Sequence, residues 1–364
     1  MIACALIAVL SCSKGDTAKE FEYSASTPEK VYSFDGDHYS YCPSIAVVDE
    51  TTHMFFCGNP TSGEFVDNIY HCTVSPDGTV PVAPVSVLQP GLSWDSRHDC
   101  DPSIVRGKFR MGGVDYTYAL FFLSNRKEYY YNEIGVAFSN DPGAREWVKY
   151  DKQIVPKPWS KDGDLYYSET GRCWGVGQPS AISLDKAGKV LLIYTCGDLS
   201  GTRAVYRELD ISNMSSPVVG EPRNMIVNGL KDLNGAQDYA CNCDFALSFE
   251  NDKIVMVRPV SPYPSSYPDY IPLAQEVDYM NYSDFISGKG EWTRLIRIDR
   301  SLSGYPRNHN AGISRDGYGY ITLWDTPTVY FTVSNAAPDV EASGSRHAEW
   351  SYDIYRTEII RTDK

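Results

Sequence analysis

Polar side chains, most of them acidic, imidazole or amide, gather at five places in the chain, each directly ahead of an apolar run. These are Ser40-Tyr41-Cys42, Arg97-His98-Asp99-Cys100-Asp101, Trp174-Gly175-Val176-Gly177-Gln178, Cys241-Asn242-Cys243-Asp244 and Arg307-Asn308-His309-Asn310. Asp99, Asp101 and Asp244 offer carboxyl groups, and Glu169 adds one in Tyr166-Tyr167-Ser168-Glu169-Thr170-Gly171. Carboxyl groups held close together push one pKa up. One protonated and one ionised carboxyl is what acid–base cleavage of a glycosidic bond needs. Arg97, His98 and His309 could hold such carboxylates ionised or bind a hydroxyl, with Gln178 and Asn310 as amide partners. Trp94, Trp174 and Tyr239 suit the C–H faces of sugars. Each residue also has a plainer reading. An Asp before Pro, as at Asp101, caps turns; Asp244 can bond neighbouring backbone amides, His309 can be a structural histidine, and Trp174 can pack between sheets.

The elements that must position these groups repeat. Five segments share a small or apolar strand, a turn and a second apolar strand. They open at Tyr41-Cys42-Pro43-Ser44, Asp101-Pro102-Ser103-Ile104, Gln178-Pro179-Ser180-Ala181, Asp244-Phe245-Ala246-Leu247 and Asn310-Ala311-Gly312-Ile313. Aligning Pro43, Pro102, Pro179, Phe245 and Ala311 gives spacings of 59, 77, 66 and 66 residues. A third, more alternating strand follows, as in Asn68–Val74 and Arg203–Leu209, and helical periodicity is almost absent. Five such units are what an all-β, five-bladed β-propeller requires, with small residues where the first strands converge on the axis. The polar entrances then ring one mouth of the channel. Residues 156–177 and 259–275, rich in Pro and aromatics, are long loops of the kind that carry function.

The Asp-Pro-Ser-Ile opening at Asp101, the Gly-x-Gly-Gln-Pro-Ser opening at Gln178 and Asn308-His309-Asn310 resemble the five-bladed propeller glycoside hydrolases. The nearest group is the family 43 arabinanases and β-xylosidases with their outlying relatives. The resemblance implies an O-glycosyl hydrolase with an Asp base, a Glu acid and an Asp that tunes the acid. It places His309 on the family's fifth-blade axial histidine and Asp101 on a blade-entrance Asp. Tyr41-Cys42-Pro43 stands where the family has its first-blade Asp, and Asp244 stands where it has a fourth-blade Glu; Glu169 is the nearby substitute. The expected catalytic set is therefore Asp101, Glu169 and Asp244. The expected substrate contacts are Asp99, Arg97, His98, Trp94, Trp174, Gln178, Tyr239, His309 and Asn310. A glycan-binding protein without activity on the same fold is the alternative.

Composition limits the partners. The formal charge is −14 over 364 residues, which disfavours nucleic acid and anionic membrane surfaces, since both need a basic footprint. Twenty-seven tyrosines suit strands first and carbohydrate surfaces second. No stretch of 18 apolar residues is present. Ile2–Leu10 is a short apolar run leading to Ser11-Cys12, which resembles a bacterial lipoprotein signal with Cys12 as the lipidated residue. That reading makes residues 1–12 a signal, 13–30 a tether and 31–364 the propeller domain, exported, monomeric and membrane-bound only through its N-terminal lipid. Ten cysteines, with Cys4 and Cys12 in the signal, leave an even number in the folded part, where an exported chain permits disulfides. Their spacing fits no zinc ribbon, and no cofactor is expected. Axial His and acids could hold calcium, but no sequence run demands it.

Overall fold

The computed structural model describes residues 21–126, 131–159, 173–265, 269–335 and 351–363. Two strands open it, β1 (Phe21–Ala25) and β2 (Glu29–Tyr32). Residues 21–25 and 29–30, expected to be tether, are therefore strand. Both segments pair with the last strand of the chain, which the alternation of Phe21-Glu22-Tyr23-Ser24-Ala25 permits.

Antiparallel groups then follow in chain order. The first is β3 (Ser40–Val48), β4 (Thr51–Gly58), β5 (Asn68–Val74) and β6 (Val85–Leu88). The second is β7 (His98–Met111), β8 (Val114–Asn125), β9 (Asn132–Ser139) and β10 (Val148–Lys149). The third joins β11 (Gly175–Ser183), β12 (Lys189–Asp198) and β13 (Gly201–Asp210), with β14 (Val218–Val219) and β15 (Arg223–Asn224) both on β13. The fourth is β16 (Asp244–Ser248), β17 (Lys253–Pro259), β18 (Gln275–Asn281) and β19 (Thr293–Ile298). In the fifth, β20 (Arg307–Ile313) is followed by the two-residue β21 (Arg315–Asp316), which runs parallel to β3. β20 pairs with β22 (Thr328–Ser334), and β22 with β23 (Asp353–Asp363), which takes β1 and β2. The fifth group is thus built from both ends of the chain.

The inner strands pack in a circuit: β3 on β7, β7 on β11, β11 on β16, β16 on β20, and β20 back on β3. Burial explains why their partners read as unbroken apolar runs. Side chains alternate across a strand, and here both faces are covered by a neighbouring sheet. Phe55 enters the core between the first and second groups, while Met54 and Phe56 enter the core between the first and fifth. Val190 and Leu192 face the second group; Leu191 and Ile193 face the fourth. Ala246 and Val255 fill the remaining core, against the fifth group.

The inner strands are also stitched to one another. Ser103 Oγ accepts the Ala181 N–H at 2.9 Å, Ser180 Oγ the Phe245 N–H at 3.0 Å, and Asp244 Oδ2 the Ile313 N–H at 2.9 Å. Buried Arg315 adds Nη1 to Ser180 Oγ at 3.2 Å and Nη2 to Ser103 Oγ at 3.1 Å. Asp244 is therefore the counterpart of Ser103 and Ser180. The fourth repeat aligns on Cys243, not Phe245, two residues earlier than the sequence pattern suggested.

Phe56 has no exposed surface and sits in the seam that the two chain ends close. Phe56→Ala is expected to cost about 3–5 kcal/mol, measured as a lower denaturation midpoint with an unchanged denaturant slope.

Candidate functional site

Each inner strand carries one left-handed residue near the mouth. Cys42 has φ 54°, Asp101 48°, Gln178 44°, Asn242 50° and Asn310 24°. At four of them the ladder register slips, between Tyr41 and Ser44, Cys100 and Ser103, Gly177 and Ser180, and His309 and Ala311. Asn242 lies just ahead of β16. Such bulges leave an extra residue unpaired and re-aim its side chain. For a non-glycine residue the left-handed conformation costs roughly 1–2 kcal/mol, so five of them mark a place where the backbone is strained for position.

Asp101, Gln178, Asn242 and Asn310 line a pocket of about 370 Å³ at this mouth. Its other walls come from Tyr39, Tyr41, Phe65, Asp67, His98, Cys100, Leu123, Asn132, Tyr270, His309 and Tyr352. One side is a run of touching rings. Phe65 stacks on Tyr39 at 6.2 Å, Tyr39 meets Tyr41 at 5.7 Å, Tyr41 stacks on Tyr352 at 5.5 Å, and Tyr352 on His309 at 5.8 Å.

Asp67 organises the polar side. It accepts from the Tyr39 hydroxyl at 2.7 Å, the Tyr41 hydroxyl at 3.2 Å and His98 Nδ1 at 3.1 Å. Nδ1 is the ring nitrogen that donates to Asp67, which leaves Nε2 for other partners. His98 Nε2 is buried without a partner, as are Gln178 Oε1, His309 Nδ1 and Asn310 Oδ1. Unpaired buried polar atoms are costly, and these four belong to residues lining one pocket.

Asp101 is the second carboxyl group there. Burial pushes its pKa up to about 6, against hydrogen bonds from Cys42 and Gln178 and the charge of His98; nearby Asp67 adds to the rise. Cys57 and Cys100 form a disulfide that ties β4 to β7 beside it. Burial also pushes His309 down to about 3, so its ring is neutral at ordinary pH. Burial and the Asp67 carboxylate raise the Tyr39 hydroxyl, keeping it a proton donor to Asp67.

The structure thus brings together Asp101, His98, Gln178, His309 and Asn310 from the sequence set. Those of the remaining expected residues that the structure describes lie elsewhere. Asp99 points to the opposite side of β7, where Lys149 Nζ reaches it at 2.6 Å and Asp95 at 2.5 Å. Burial, then Asp95, raises its pKa to about 7, while Lys149 opposes the rise. Asp244 is held by Ser180 Oγ at 2.7 Å, the Ile313 N–H and Arg315 Nη2 at 3.4 Å, which makes it an axial staple and not a pocket acid. Trp94 packs in the core, stacked on Phe122 at 5.8 Å. Trp174 donates to Thr202 Oγ1 at 3.3 Å over Gly197, where any Cβ would strike the indole. Tyr239 and Arg97 do not line the pocket. Glu169, Cys4 and Cys12 lie outside the described residues.

Sequence reasoning missed Asp67, Tyr39, Phe65, Asn132, Tyr270 and Tyr352. A signal for two of them existed. In an antiparallel group the connection after the second strand returns to the mouth where the first began. Asp67, before β5, and Asn132, at the start of β9, therefore arrive there by topology.

No family profile matches the sequence, and no curated protein matches it. Solved structures do. A family 117 glycoside hydrolase from the marine bacterium Zobellia galactanivorans superposes with a TM-score of 0.57 at 12% identity, covering 93% of this chain and 90% of that one. The chain has the fold of the β-propeller glycoside hydrolases. An α-L-arabinofuranosidase from Lactobacillus brevis gives 0.55 at 10% identity, over 88% and 90%. A family 43 enzyme from Xanthomonas citri gives 0.51 at 12%, over 92% and 89%. The likeness to propeller enzymes related to family 43 agrees with the sequence resemblance, and at these identities it is a likeness of fold.

The buried histidine ties stability to pH. Unfolded, His309 takes a proton as pH falls through its ordinary 6.5, whereas the folded ring refuses one until about 3. Its contribution is complete above pH 6.5 and is lost as pH falls from there toward 3. Between pH 6.5 and 5 this amounts to roughly 2 kcal/mol. His309→Asn is expected to flatten the decline of Tm with acid across that range, measured by calorimetry at stepped pH.

Proposed function

We propose that the chain is a five-bladed propeller glycoside hydrolase acting on glycosides or oligosaccharides derived from polysaccharide. The observation that carries the reading is that one pocket holds a buried carboxyl group, Asp101, together with an Asp67–His98 pair whose His98 Nε2 is unpartnered. Glycoside cleavage needs a group to protonate the leaving oxygen and another to act on water or on the anomeric carbon. Asp101, walled by sulfur and apolar side chains, is the proton donor. His98, oriented through Nδ1 by Asp67, takes the proton from water. The stacked rings from Phe65 to His309 receive the sugar's C–H face, and Gln178 and Asn310 receive its hydroxyls.

A glycan-binding protein without turnover is the second reading. It is favoured by the bulge residues, of which Asp101 alone is acidic while Cys42, Gln178, Asn242 and Asn310 are neutral. An exported, lipid-anchored monomer remains the proposed setting, with Cys12 as the lipid site; the Cys57–Cys100 disulfide supports an oxidising compartment.

The test is release of sugar from a panel of aryl furanosides, aryl pyranosides and oligosaccharides. Wild type is expected to turn over at least one, with Asp101→Asn and His98→Gln each lowering kcat by about 10²–10⁴-fold while calorimetric binding persists. Binding without turnover in wild type would establish the second reading, and absence of both would end the carbohydrate assignment.

A further inference from the structure

Three sulfur atoms surround Asp101 at the pocket floor, and they arrive on three strands. Cys42 is the left-handed residue of β3, Cys57 lies near the end of β4, and Cys100 precedes Asp101 on β7. The ligand atoms of Cys42, Cys57 and Asp101 all lie within 4.8 Å of one another. Cys100 Sγ stands 3.3 Å and Cys57 Sγ 3.8 Å from Asp101 Oδ1. A tetrahedral divalent metal, with metal–sulfur near 2.3 Å and metal–oxygen near 2.1 Å, sets sulfur–oxygen edges of about 3.6 Å. The two observed separations bracket that edge.

A second, independent feature is the polar surround of the sulfurs. The Asp101 N–H donates to Cys57 Sγ at 2.9 Å, and the oxygen of the Tyr41 hydroxyl, whose hydrogen goes to Asp67, lies 3.0 Å from Cys100 Sγ, placed to accept from a thiol there. Sulfur in a disulfide is a weak acceptor, whereas a metal-bound thiolate uses a bond such as that from the Asp101 N–H as its outer support. The pocket gives the access route, since Cys100 and Asp101 line it.

We propose that Cys42, Cys57, Cys100 and Asp101 form a thiolate-rich site for a zinc-class divalent cation, exposed when the Cys57–Cys100 disulfide is reduced. Disulfide and metal are alternative states of the same four residues. A thiol or phosphine reductant supplies two electrons, the S–S bond breaks, and two protons from solvent complete two thiols. The cation then binds as the three thiol protons leave to solvent. Two thiolates on one tetrahedral metal sit about 3.8 Å apart, and side-chain rotation reaches that separation from Cα atoms 5.2 Å apart. Four protein ligands make a closed site, so the metal would withdraw Asp101 from the pocket. The inference does not depend on glycoside turnover, and its readout is separate from it.

The test uses the full chain, reduced with a phosphine under argon, freed of reductant and titrated with Co²⁺ alone, then with Zn²⁺. One equivalent of cobalt is expected to give thiolate charge-transfer absorption and intense tetrahedral visible bands, both abolished by zinc. The oxidised chain is expected to give neither. Cys42→Ser, which leaves the disulfide pair in place, is expected to lose part of the charge-transfer intensity and to bind cobalt at least about tenfold more weakly. Absence of the bands in reduced wild type would overturn the proposal, as would loss of folded structure on reduction by circular dichroism. Bands unchanged in both Cys42→Ser and Asp101→Asn would also overturn it, by placing the metal on other cysteines such as Cys241 and Cys243.

Discussion

The site depends on one backbone event repeated five times, a residue forced into the left-handed region where each inner strand reaches the mouth. A regular strand alternates its side chains between the two flanking cores and sends none along the axis. The bulge breaks that alternation at a single residue and turns it inward. Pro43, Pro102 and Pro179 follow three of the five. Proline has no N–H, so it surrenders no ladder bond where the pairing has already slipped. At roughly 1–2 kcal/mol each, five such residues need a rigid surround, and the five apolar seams supply it.

Those seams also decide which acids are free to act. Below the bulge, Ser103, Ser180 and Asp244 spend their oxygens on the backbone of the next inner strand, and Arg315 gathers two of these hydroxyls. An acid at that level is committed to holding the circuit together. An acid one level nearer the mouth, such as Asp101, is governed first by burial, which raises its pKa. Asp244 follows Asn242 by two positions, and that step separates a staple from a pocket-lining side chain.

The sequence made the repeat legible because two-sided burial produces unbroken apolar runs, and because Cys-Pro-Ser, Asp-Pro-Ser and Gln-Pro-Ser recur at the bulge. The fourth repeat, Asn242-Cys243-Asp244, lacks the proline, so its register slipped by two residues and Asp244 was read as a mouth acid. Asp99 misled for a related reason: alternation along β7 turns it away from His98, toward Lys149. Residues 21–30 read as tether because a polar edge strand such as Phe21–Ala25 has little apolar signal without its partner, β23. Asp67, Phe65 and Tyr352 escaped notice since they reach the pocket through connections and outer strands, where no repeated motif marks them.

The central claim is that this mouth receives a sugar between the ring wall and the Asp101 and His98 side chains. The most direct measurement is a crystal structure of Asp101→Asn soaked with an oligosaccharide that binds the protein in solution. The account requires a sugar residue in the pocket, one C–H face on the rings of Tyr39, Tyr41 or Tyr352 and an oxygen within hydrogen-bond distance of His98 Nε2. A sugar bound elsewhere on the surface, with the pocket holding solvent alone, would contradict it.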